Sequence, residues 1–130
     1  MKKGILKSLL NISLGAITAI VFTSASAPFD TPSRPGRPEI TDIRDDRCDI
    51  QFKKPESDGG SRITGYIVEK KEKYSPRWLQ ACVAKRPSCT VYNLIEGSIM
   101  EFRALASNKA GLSEPSYPSN PVVIRGPFKP

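Results

Sequence analysis

Beyond its first 27 residues the chain is written in short alternating runs of apolar and polar side chains, each closed by turn residues. The clearest is 47–53, where Cys48, Ile50 and Phe52 fall on one face and Arg47, Asp49, Gln51 and Lys53 on the other. A period of two is that of a strand with one buried face. Similar runs predict strands at 39–43, 63–71 with Tyr66 and Val68 inward, 78–83, 89–94 and 122–125. A further strand runs through Phe102, Ala104 and Ala106, with Glu101 and Arg103 outward. Turns are predicted at Asp45-Asp46, in the loop 55–60, at Glu96-Gly97, and at 107–111, where Asn108 and Gly111 offer positive φ. No run shows long helical periodicity. Seven short strands over about a hundred residues predict an all-β fold, a seven-stranded antiparallel immunoglobulin-like β-sandwich.

Two blocks add more than periodicity. One is Leu94-x-Glu96-Gly97 followed by Phe102-Arg103-x-x-Ala106-x-Asn108-x-Ala110-Gly111-x-Ser113-x-Pro115. The other is Asp58-Gly59-Gly60-Ser61-x-Ile63-Thr64-Gly65-Tyr66-x-Val68-Glu69. Both resemble fibronectin type III domains, above all those of titin-, twitchin- and projectin-like giant muscle proteins. The resemblance implies three strands facing four. It also implies a non-enzymatic spacer and docking module of a sarcomeric array, with myosin of the thick filament or neighbouring modules as partners. Two positions depart from the pattern. Phe52 stands where a core tryptophan is expected, and Met100 where a tyrosine hydroxyl would tie down the corner before Phe102.

Residues 1–27 join a basic start (Lys2, Lys3, Lys7) to an apolar stretch and small residues ending Ala25-Ser26-Ala27, the layout of a secretory leader cleaved near Ala25 or Ala27. Only through that leader would the chain meet a membrane. Residues 28–37 are proline-dense and predict a stiff linker. The domain then spans 38–125, and 126–130 resemble the start of a next linker, so both ends look like those of an array segment. The leader predicts a secreted protein, and the linkers a cytoplasmic, sarcomeric one.

Composition narrows the chemistry. With no histidine, the commonest general base and every Ser-His or Cys-His nucleophile are gone, and no enzyme activity or cofactor is expected. The net charge is +7, but Lys2, Lys3 and Lys7 supply three of those positives. The remainder is too mild and too scattered for nucleic acid. No glycine-rich phosphate loop or small-molecule site stands out. The acids Asp42, Asp45, Asp46 and Asp49 lack the spacing of a calcium loop and read as solvated turn acids. The loop 107–114 holds no Arg-Gly-Asp, and the acceptor triplet Asn11-Ile12-Ser13 lies inside the leader.

Three cysteines, Cys48, Cys82 and Cys89, are an odd set without zinc-knuckle spacing. They read as three reduced thiols acting as small hydrophobes, which suits a reducing compartment. The alternative function, a secreted or cell-surface single-module binding protein, requires two of them to be bridged. Lys70, Lys71, Lys73, Arg77, Lys85 and Arg86 form a candidate basic surface for an acidic filament protein, or else a solvated edge that deters strand pairing. Restoring the corner hydroxyl with Met100→Tyr is expected to stabilise the fold by roughly 1 kcal/mol. The denaturation midpoint checks this, and an unchanged midpoint would sink the alignment of that corner.

Overall fold

A computed structural model describes residues 28–126; the leader at 1–27 and residues 127–130 of the expected second linker lie outside the described residues. The strands are β1 (Glu39–Ile43), β2 (Cys48–Gln51), β3 (Gly65–Glu72), β4 (Leu79–Ala84), β5 (Ser88–Val91), β6 (Ile99–Asn108), β7 (Gly111–Leu112) and β8 (Val122–Val123). Every pairing is antiparallel. One sheet has the order β1-β2-β5; the other has β4-β3-β6, with β7 and β8 both on the far edge of β6. Three lanes therefore face four, and the predicted all-β sandwich stands. The last lane is broken in two.

The inward rows are those the alternation marks. Phe102, Ala104, Ala106 and Val68 are fully buried, and Cys48, Ile50 and Val91 nearly so. Large faces small along the central pair: Tyr66 is opposite Ala106, Val68 opposite Ala104 and Lys70 opposite Phe102. This lets neighbouring side chains fill one layer without collision. Phe52 takes the place of the expected tryptophan by setting its ring edge-on to Tyr66, centroids 5.2 Å apart. At the corner Met100 is buried, opposite Glu72 on one side and Val122 on the other.

The break in the last lane has a cause in the triplets Ser113-Glu114-Pro115, Ser116-Tyr117-Pro118 and Ser119-Asn120-Pro121. Each serine is buried, and both its N–H and its hydroxyl serve β6. The N–H groups of Ser113, Ser116 and Ser119 donate to the carbonyls of Ala106, Ala104 and Phe102 at 2.7–2.8 Å. The three hydroxyl oxygens accept the N–H groups of the same three residues at 2.9–3.0 Å. Three edge residues thus span two of β6. The extra residue of each triplet bulges outward, and the prolines occupy positions that donate nothing to the ladder.

The proline-dense stretch 28–37 lies along the domain. Backbone N–H groups of Asp30, Ser33 and Gly36 donate to the carbonyls of Gly59, Ser57 and Lys53 at 2.9–3.0 Å. Gly59 has φ +77°, and a Cβ there would stand 2.1 Å from the Asp30 carbonyl oxygen, so only glycine admits this approach. Asn108 locks the same end. Its amide donates to the carbonyls of Asp30 (2.8 Å) and Asp58 (2.6 Å), and its oxygen accepts the N–H groups of Ala110 and Gly111. Asn108 does not itself adopt positive φ, as the turn pattern suggested; Gly111 does, and its neighbour Asn108 contributes through the side chain instead.

The cysteines correct one expectation. Cys82 and Cys89 form a disulfide, so the three are not all reduced thiols. Cys82 lies opposite Val68 and Cys89 opposite Ile50, both on inward rows, and the turn at 85–87 folds the edge strand of one sheet onto that of the other. The two side chains meet across that seam. Cys48 alone is free, and it is buried as a small hydrophobe. Burial, assisted by the Asp49 carboxylate, pushes its thiol from 9.0 up to about 12.

A raised thiol pKa means that above pH 9.0 the unfolded chain loses a proton the folded one keeps. That stability is complete below the ordinary value and is lost as pH climbs toward about 12. Denaturation midpoints are expected to fall across this window, and less steeply in Cys48→Ala; equal slopes would show that the thiol is not the cause. At the serine edge, Ser116→Ala strands the buried Ala104 N–H and should cost about 1–3 kcal/mol, read from the urea midpoint.

Candidate functional site

Strand order divides the candidate basic surface in two. Lys70, Lys71, Lys73 and Arg77 lie around the far end of β3 and the turn that follows it. Lys85 and Arg86 lie beyond the opposite end of β4, about 17 Å along the strand, beside a hollow that Lys54, Arg62 and Asp58 also line. The six side chains do not form one patch.

Within the first group alternation divides the roles again. Lys71 points to the outer face, where its ammonium lies 3.5 Å from the Glu101 carboxylate and 5.5 Å from the Trp78 ring centroid. Arg103 bonds Glu69 at 2.7 Å and lies over the Trp78 ring at 4.4 Å from its centroid. The ring, two cations and two carboxylates therefore form a closed ladder whose paired side chains are largely covered, and Lys71 is not a free cation. Sequence reasoning passed over Trp78. The available signal was the shared acid-x-base order of Glu69-x-Lys71 and Glu101-x-Arg103, which antiparallel pairing reverses so that Glu69 meets Arg103 and Lys71 meets Glu101. Lys73 covers the exposed Tyr74 ring at 5.4 Å. Lys70 and Arg77 instead line a hollow between the sheets, with Leu79, Leu94, Ile95 and Met100.

The outer face of the larger sheet is apolar toward its other end. Val83, Ile67 and Leu105 form one cross-strand row, and the side-chain-free Gly65 leaves a depression beside them that Leu112 borders. Val83 and Leu112 are about half exposed or more. The acids of the first turn are engaged with their own surroundings: Asp42 with Arg44 at 3.1 Å, Asp46 with Arg47 at 3.7 Å, and Asp49 with the Thr90 hydroxyl at 2.6 Å. Among the described residues no cluster of three or more His, Cys, Asp or Glu is placed to hold a metal ion.

A sandwich with three lanes facing four, and an asparagine-anchored hairpin after its longest strand, defines the class. The chain belongs to the fibronectin type III family, whose domain model matches residues 33–122. It is 38% identical to cardiac-type myosin-binding protein C of Homo sapiens over 101 residues, 76% of this chain and 8% of that protein. With the slow-type protein of Homo sapiens the identity is 40% over 96 residues, 72% of this chain and again 8% of the relative. Among solved structures, domains A168–A170 of titin superpose with a TM-score of 0.73 at 40% identity, covering 75% of this chain and 33% of that one. The twitchin kinase region of C. elegans gives 0.73 at 35%, covering 78% and 18%. The chain thus spans about a twelfth of the length of these two myosin-binding proteins.

Proposed function

We propose that this module is a spacer and docking domain of a titin- or twitchin-like sarcomeric array, with no chemistry of its own and with myosin of the thick filament as its partner. The observation that carries this reading is the 38–40% identity to modules of proteins named for binding myosin. The surface suits the role. It offers a sheet face of Ile67, Val83, Leu105 and Leu112 and a charged ladder around Trp78. One face of this kind covers on the order of a few hundred Å², too small for tight binding alone, so avidity would come from repetition.

A second reading is favoured by the Cys82–Cys89 bridge: an exported or cell-surface module that binds its partner singly. Co-sedimentation with synthetic myosin filaments, using the chain alone and a tandem of three copies, tests the first. Weak sedimentation of the single copy and strong sedimentation of the tandem are expected. Neither sedimenting at high micromolar concentration would overturn the docking role. Thiol titration of unfolded protein taken directly from its source decides between compartments, one thiol marking the exported module and three the reduced, sarcomeric one.

A further inference from the structure

The inward row of β3 reads Tyr66, Val68, Lys70, Glu72, so its apolar character ends halfway along the strand. The facing row of β6 compensates at first: Phe102 lies opposite Lys70 and takes up the space a β3 side chain does not fill. One pair further on, Met100 lies opposite Glu72, and there the compensation fails. A hollow of about 400 Å³ opens between the sheets. Leu94 and Met100 are its buried floor, and Leu79 and Ile95 stand exposed on its rim, Ile95 at 72%. Its charged lining is Lys70, Lys71, Arg77 and Glu72, and Ser75, Asn93 and Ser98 add polar groups.

We propose that this hollow is a socket for one bulky apolar side chain, phenylalanine or leucine, projecting from an acidic segment of a partner protein. The inference rests on the docking reading and names the chemistry docking would use. The volume is of the size of a small ligand pocket, and an inserted apolar side chain would pack on the buried Leu94 and Met100 and take the exposed Leu79 and Ile95 out of water. A partner seated on the rim also takes water from Lys70 and Arg77. Those cations then need carboxylates beside the anchor, whereas a basic segment would leave them buried against like charge. Lys71, beside them, is already matched by Glu101 and does not add to the demand. Glu72 disfavours a continuous run of acids, so the acidic residues flank the anchor on the Lys70 and Arg77 side. Anchors of this kind, a large side chain in a pocket within a polar rim, concentrate binding energy in a few residues.

The test uses the full chain, 15N-labelled, titrated with the synthetic peptide Gly-Glu-Glu-Phe-Ser-Ser-Gly. Saturable amide shifts confined to residues near 70–79 and 93–100 are expected. Replacing the peptide's phenylalanine by alanine, or its acids by lysine, should weaken binding by roughly tenfold or more. In the protein, Met100→Tyr fills the hollow and should weaken it similarly, as should the surface changes Ile95→Ala and Lys70→Glu, which leave the core intact. No saturable shift at millimolar peptide, or equal binding by Met100→Tyr and Lys70→Glu, would overturn the socket. Myosin-filament binding that is undiminished in these variants would also overturn it while leaving the docking reading standing. A socket that saturates in a chain that binds no filament would sink the myosin reading alone.

Discussion

Strand β6 is hydrogen-bonded along both edges, to β3 over eight successive residue pairs and to β7, the serine triplets and β8 on the other side. A strand in that position has no free backbone to offer water, so its own alternation fixes which side of the sheet faces the core. The small side chains of Ala104 and Ala106 leave room for Tyr66 and Val68, and the bulk of Phe102 answers the loss of apolar character at Lys70. The layer stays filled as far as Phe102 and no further. Packing of the core and the opening of the hollow beyond it follow from one register.

The two flanks of the sandwich are closed by different chemistry. On one, the β4–β5 turn brings two inward cysteines together and a covalent bridge joins the sheets. On the other, three serines each satisfy a donor and an acceptor of β6, and Arg34 from the N-terminal stretch lies 4.7 Å over the Tyr117 ring. The serine edge also protects the domain from unwanted pairing. Its bulges and prolines present no regular row of N–H groups to a passing strand. At the end where Asn108 and Gly59 hold the chain entering the domain, the backbone of residues 30–36 is part of the fold.

What remains at the surface is a division of labour. Charges on the outer face of the larger sheet are spent on each other, around Trp78, and give rigidity more than attraction. Lys70, which alternation turned inward past the end of the core, and Arg77 from the following turn line the hollow instead.

Much of this was legible in the chain. The period of two identified the inward faces of β2, β3 and β6 without error, and the two long motifs identified the family, because both depend on local order that sequence records directly. Strand partners were not legible. The disulfide, the Trp78 ladder and the division of the basic residues each depend on which edges adjoin and in what register, and no local pattern encodes either. The triplet repeat Ser-x-Pro was present in the sequence, but its meaning appears only against β6, where three residues must match two. Sequence alone therefore determined which side chains face inward, through the geometry of an extended backbone. Tertiary structure decided which of them meet, since that rests on contacts between strands far apart along the chain.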